Sequence, residues 1–185
     1  MILIHSPKIK HIVSNLVQAF VLGMLLNSAS AKEEFERFVT TGLVVSSHDG
    51  DTIKLKTPDR GILTIRFSGA DAPETGQAYW KASRGALRAI VEAQPVTVDC
   101  YKKDRYERDV CNVYVDQLDV GLELIRRGVA WHAYQYASEL SELQRKSYRQ
   151  AEENARQQKL GLWVEPDPMA PWDCRRQRRA GQKCR

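Results

Sequence analysis

With 185 residues, the chain has the length of one domain, and its first thirty or so residues differ in character from the rest. Lys and Arg number 28 against 23 Asp and Glu, a formal charge of +5 that is too mild to demand a polyanionic partner by itself. Beyond the N-terminal region no stretch is apolar enough to span a membrane, so a helical integral membrane protein is excluded for the remainder.

Lys8, Lys10 and His11 precede an apolar run from Ile12 to Leu26 that ends in Asn27-Ser28-Ala29-Ser30-Ala31. This is the layout of a secretory signal with a small-residue cleavage site, and its apolar core is short for a bilayer span. Cleavage after Ala31 is expected, giving a signal peptide at 1–31 and a mature protein, periplasmic or secreted, with no stable membrane association. Four cysteines in an oxidising compartment invite pairing, and four thiols allow three connectivities.

From Leu43 to Val115 the apolar residues mostly alternate, the period of strands with one buried face. Leu43 to Ser47 reads as a strand, Asp49-Gly50 as a tight turn, and Thr52 to Thr57 as a second strand with Ile53 and Leu55 on one face. After a turn at Pro58-Asp59-Arg60-Gly61, Leu63, Ile65 and Phe67 point one way, which places Arg66 on the face away from the core. From Trp80 the spacing of Leu87, Ile90 and Val91 is helical and stops before Pro95. Val96, Val98 and Cys100 then resume the alternation, with Cys111, Val113 and Val115 answering across a polar turn.

In that hairpin Cys100 and Cys111 fall opposite each other on one face, so a Cys100–Cys111 disulfide is favoured over two buried thiols. Cys174–Cys184 follows only from proximity in sequence. A second helix is expected from Val120 to Arg127, stopped by Gly128, and a third carrying Leu140, Leu143, Ala151 and Ala155 up to Leu160-Gly161. Past Trp163 the chain is rich in proline and arginine, without a readable period. Residues 166–185 are expected to form a basic tail, either solvated or in contact with nucleic acid. Five strands, with a helix after the third, is the layout of an α+β, OB-fold-like five-stranded β-barrel with three helices, here assigned to 32–165.

The first turn leaves Asp51 unexplained, and Asp71-Ala72-Pro73-Glu74 ends the third strand with two more carboxylates, each of which alone could be a solvated loop acid. Drawn from adjacent strand ends, the three form a set of hard oxygen donors suited to Ca²⁺ or Mg²⁺. Arg66, and Arg108 in the turn Asp104-Arg105-Tyr106-Glu107-Arg108-Asp109, are placed to flank them as bidentate phosphate clamps. His48 and His132 are given no role.

Asp49-Gly50-Asp51-Thr52, Ile65-Arg66-Phe67, Asp71-Ala72-Pro73-Glu74, Asp104-Arg105-Tyr106-Glu107-Arg108, Leu160-Gly161-Leu162-Trp163 and Pro171-Trp172 together make the chain resemble the staphylococcal nuclease family across roughly residues 43–163. The resemblance implies a calcium-dependent endonuclease that cuts DNA and RNA, single strands preferentially, as a monomer, leaving 3′-phosphates. It implies that Asp51, Asp71 and the Ala72 carbonyl hold Ca²⁺, that Glu74 handles the attacking water, and that Arg66 and Arg108 bind the scissile phosphate. Arg105, Tyr106, Tyr134 and Tyr136 resemble the family's nucleotide-binding residues. Two positions depart from the family pattern: Ala72 stands where Thr is frequent, and Glu107 where Gly is usual. A barrel that binds nucleic acid or protein without cutting is the alternative, but such a barrel is expected to have lost some of Asp51, Asp71, Glu74, Arg66 and Arg108, and all five are present.

Overall fold

The computed structural model describes residues 35–184, so the predicted signal segment and its cleavage site lie outside the described residues. The strands form as the alternation requires. β1 (Phe38–Ser47) pairs antiparallel with β2 (Thr52–Thr57), which pairs with β3 (Gly61–Phe67) in a register that sets Ile53 against Ile65 and Leu55 against Leu63. Ile53, Leu55 and Ile65 are fully buried, whereas Lys54 and Lys56 point outward. β1 starts five residues earlier than the alternation suggests, since Phe38–Gly42 pairs with β5 along an only partly buried stretch. A register shift between Val44 and Ser46 bends the strand where it passes from one partner to the other.

The short β4 (Ala70–Asp71) leads to α1 (Trp80–Val91), which buries Ser83, Leu87, Ile90 and Val91. β5 (Pro95–Lys103) and β6 (Asp109–Val115) form the expected hairpin, with Cys100 opposite Cys111 and the two joined by a disulfide. β6 also pairs in parallel with β3, matching Arg66 with Val110 and Phe67 with Cys111. That pairing closes a five-stranded barrel from β1, β2, β3, β5 and β6. It also sets Arg66 and the turn carrying Arg108 on the same rim.

β7 (Leu118–Asp119) leads into α2 (Val120–Arg126), capped by the Asp119 side chain accepting from the Leu122 amide. Gly128 ends it at φ 67°, where a side chain would collide with the Leu160 carbonyl. β8 (Trp131–His132) pairs with β4 and so ties Asp71 to the second half of the chain. α3 (Glu142–Gln157) opens with a capping box between Ser141 and Gln144. Its buried face is Tyr148, Ala151, Glu152 and Ala155. Leu143, assigned to that face in the sequence, is instead 75% exposed, because it lies one position off the i, i+3, i+4 series that runs back from Tyr148 to Gln144. Leu140 is buried, but ahead of the helix.

The largest departure is at the C-terminus, where a fourth helix, α4 (Pro171–Arg179), is added to the three expected. Pro171 begins it and Arg176, Arg178 and Arg179 occupy its last turn, where cations suit the helix dipole. Only Pro171 and Cys174 are buried, so there is too little apolar residue for a period to show. Cys174 forms a disulfide with Cys184. Trp172 packs on a small second core of Trp131, Ala155, Leu162, Trp163 and Ala170. Among the described residues no helix is long and apolar enough to cross a membrane.

Candidate active site

The carboxylate-bearing loops meet because the chain between β1 and β2 packs directly on the chain after β4. A β-carbon built on Gly50 would lie 1.8 Å from Ser83 Oγ and 2.8 Å from the Ala72 methyl, so glycine is what lets the Asp49-Gly50-Asp51 turn come this close. Beside it, the Ala72 amide donates to Asp51 Oδ2 at 2.6 Å and the Phe67 amide to the Asp51 carbonyl at 2.9 Å.

Arg66, projecting from β3 away from the core, bridges the two aspartates. Its Nη1 is 2.9 Å from Asp51 Oδ2 and its Nη2 donates to Asp71 Oδ1 at 2.9 Å, while Nη1 also reaches the Ala70 carbonyl at 2.9 Å. Burial opposes the charge on Arg66, but Asp51, Asp71 and Asp49 outweigh it and hold the guanidinium above its ordinary range. Asp51 remains short of positive charge. Burial pushes its carboxyl up to about 8; Arg66 pulls it down, Asp49 and Asp71 push it further up, and the Ala72 amide opposes them.

Arg108 stands across the cleft, held by Asp104 through Nε at 2.7 Å and Nη2 at 2.6 Å, with Nη1 3.3 Å from Thr52 Oγ1. Asp104 Oδ1 also accepts the Tyr106 and Arg108 amides, and although burial would raise this carboxyl, the bonds from Arg108 and Tyr106 hold it below the usual range. Glu107 adopts φ 59°, a conformation that suits the glycine usual there. The partner of Arg108 is Asp104, not Glu107.

Arg175, in the segment read as a tail, completes the cluster. Its Nη1 donates to Asp71 Oδ1 at 3.0 Å and to Glu74 Oε1 at 2.7 Å, and its Nη2 to Asp71 Oδ2 at 2.7 Å. These carboxylates raise the Arg175 pKa against the effect of burial. α4 is fastened to the Glu74 loop by Arg178 donating to the Thr75 carbonyl at 2.6 Å and by Gln77 donating to the Met169 carbonyl at 2.5 Å. The sequence signal that could have found Arg175 is the Pro171-Trp172 pair four residues before it, which anchors a helix start.

Asp51, Arg66, Asp71, Glu74, Arg108 and Arg175 all line one cavity of about 600 Å³. Arg105, Tyr106 and Tyr136 are on its wall, with Tyr106 64% exposed and the Arg105 and Arg108 guanidinium groups 4.9 and 5.5 Å from its ring centre. Tyr134 does not line it; its hydroxyl donates to Glu152 at 2.5 Å and its ring lies against His132. Among the described residues no three His, Cys, Asp or Glu side chains stand together as a ready metal cage, and both oxygens of Asp71 accept from guanidinium groups. The donor chemistry nonetheless suits a hard cation: the oxygens are carboxylate and carbonyl, and Asp51 is a buried acid short of positive charge.

The family described as staphylococcal nuclease homologue matches residues 64–165. A Haemophilus influenzae protein described as an uncharacterized endonuclease is 32% identical over 162 residues, covering 88% of this chain and 85% of that one. An Escherichia coli protein of the same description is 38% identical over 134 residues, 71% of this chain and 82% of its own. A Shigella flexneri protein described as micrococcal nuclease is 35% identical over 144 residues, 73% of this chain and 80% of its own. With that breadth of match and the closed barrel, the chain belongs to the staphylococcal nuclease family and is a hydrolase of the nuclease class.

Proposed function

We propose that this nuclease hydrolyses phosphodiester bonds of DNA and RNA in a calcium-dependent reaction, single strands preferentially, and releases 3′-phosphates. The observation that carries this reading is the convergence of three carboxylates, Asp51, Asp71 and Glu74, and two guanidinium groups, Arg66 and Arg108, on one cleft. Asp51, Asp71 and the Ala72 carbonyl are the residues that would hold Ca²⁺, which supplies Lewis-acid charge at the phosphate when bound. Alanine in place of the family's threonine leaves a carbonyl ligand intact.

Glu74 takes the proton of the attacking water. Its Oε1 is engaged by Arg175, while Oε2 has Arg178 no nearer than 3.8 Å and keeps acceptor capacity. Arg66 and Arg108 donate to the non-bridging phosphate oxygens and neutralise charge developing on phosphorus. Arg108 is partly pre-set for this by Asp104, which fixes its Nε side. Residues 1–31 direct export, the protein acts as a monomer beyond the cytoplasmic membrane, and its two disulfides support that location.

Cleavage of plasmid and of single-stranded oligonucleotide, with calcium and with chelator, tests the reading. Glu74→Gln and Arg108→Lys are each expected to lose turnover on the order of a hundredfold or more. Asp51→Asn is expected to raise the calcium needed for half activity. Wild-type rates in all three under saturating calcium overturn the assignment.

A further inference from the structure

A second groove, of about 380 Å³, opens beside the active-site cavity and is lined by Arg105, Tyr106, Arg175, Arg178 and Arg179. Arg105, Tyr106 and Arg175 also line the main cavity, so the two are continuous. One wall is the exposed β5–β6 turn, the other the C-terminal half of α4. Four of its five residues are arginines. Among the described residues Arg105 and Arg179 pair with no carboxylate, and Arg178 approaches Glu74 only to 3.8 Å. The charges of Arg105 and Arg179 therefore stand here without a carboxylate partner, and that of Arg178 is only weakly offset.

We propose that this groove is a binding track for the single-stranded flank of the substrate, holding the phosphates next to the scissile one; the proposal rests on the nuclease reading of the adjoining cavity. The chemistry matches a flexible polynucleotide strand. Exposed guanidinium groups meet successive phosphates, and the exposed Tyr106 ring offers a stacking face that accepts any base. A compact phosphorylated metabolite would fill the main cavity and leave the Arg178–Arg179 wall of the groove without a ligand. The disulfide from Cys174 to Cys184 and the Arg178 bond to the Thr75 carbonyl hold this wall in place, so the track is built into the folded protein and not supplied by a loose tail.

The test is binding in the presence of chelator, where no strand is cut, of a fluorescent oligothymidylate of about twelve nucleotides and of a dinucleotide too short to leave the main cavity. Replacing Arg178→Gln and Arg179→Gln together is expected to weaken the longer ligand and to reduce its slope of log affinity against log salt by about 1.4, about 0.7 for each single-strand phosphate lost. Arg179→Gln alone, which touches nothing at Glu74 or Thr75, is expected to give about half that change. Dinucleotide affinity is expected to match wild type. A wild-type salt slope in the double variant overturns the track and leaves the cleavage site standing. Equal weakening of both ligands also overturns it, because the arginines then act through the Glu74 loop. If the wild-type protein neither binds the longer strand nor cuts it with calcium, the nuclease reading itself fails.

Discussion

Arg175 and Asp71, 104 residues apart in the chain, meet end to end, each nitrogen of the guanidinium fork facing one carboxylate oxygen at 3.0 and 2.7 Å. Asp71 is fully buried, whereas Arg175 keeps about 30% of its side chain exposed. The pair has two consequences, because the same carboxylate is the expected calcium ligand.

Removing the guanidinium by Arg175→Ala leaves Asp71 with Arg66 alone. The expected cost is about 1–3 kcal/mol in chelator, less than for a fully buried pair because of the exposure of Arg175 and the surviving contact. Calcium is then expected to stabilise the variant more than the wild type, since an arginine no longer competes for the oxygens. A tenfold gain in affinity adds about 1.4 kcal/mol at saturating metal. Urea unfolding of both proteins with calcium and with chelator measures the difference. Equal calcium stabilisation in the two removes any competition between Arg175 and the cation.

His132 gives a prediction about pH. It is fully buried, neither ring nitrogen has a hydrogen-bond partner among the described residues, and its neighbours are the Tyr134 and Tyr148 rings and the charge of Arg149. Burial first, and Arg149 second, lower its pKa to about 4 from an ordinary 6.5. The unfolded chain therefore binds a proton between these values that the folded chain refuses. Its contribution to stability is complete above pH 6.5 and is lost as pH falls toward 4, by up to about 3 kcal/mol. Unfolding free energies measured from pH 7 to pH 4 are expected to fall more steeply in the wild type than in His132→Phe. Parallel profiles would show that this histidine is not titrating on unfolding.

Glu107 offers a separate test of the turn. Its left-handed backbone costs a residue with a β-carbon about 1–2 kcal/mol, partly offset by the greater freedom glycine would have in the unfolded chain. Glu107→Gly is expected to stabilise by about 0.5–1 kcal/mol. Turnover is expected to stay within about twofold, because Asp104 holds both the turn and Arg108. Thermal melts and single-turnover cleavage check both. A large gain in rate would mean that the acid at 107 hinders the clamp after all.

Where residues alternate over several positions the sequence could be read closely. Ile53, Leu55, Ile65 and Val98 are buried as their spacing demands, and the disulfide register at Cys100 and Cys111 follows from counting across the turn. The position of Arg66 on the outer face of β3 was legible for the same reason. Tyr134 was not, because the aromatic residue next to a site and one turned away from it look alike in a sequence. Its orientation is settled by Glu152, on a helix that begins eight residues later. Arg175 was hidden differently. A helix whose buried residues are Pro171 and Cys174 carries almost no hydrophobic period, and its partners Asp71 and Glu74 are about a hundred residues away.

The parallel pairing of β3 with β6 also limits how much strand edge the barrel leaves open. β1, β2, β3, β5 and β6 each have a strand on both sides, and the remaining strands, β4, β7 and β8, are two residues long. Over Ile65–Phe67 β6 covers the β3 edge, so among the described residues the strand edge left open to another chain is confined to short stretches such as Gly61–Thr64. The Cys100–Cys111 disulfide fastens β6 to β5, so β6 stays in the sheet even where its pairing with β3 opens. That closure leaves the folded barrel little strand edge on which sheet-by-sheet polymerisation could start.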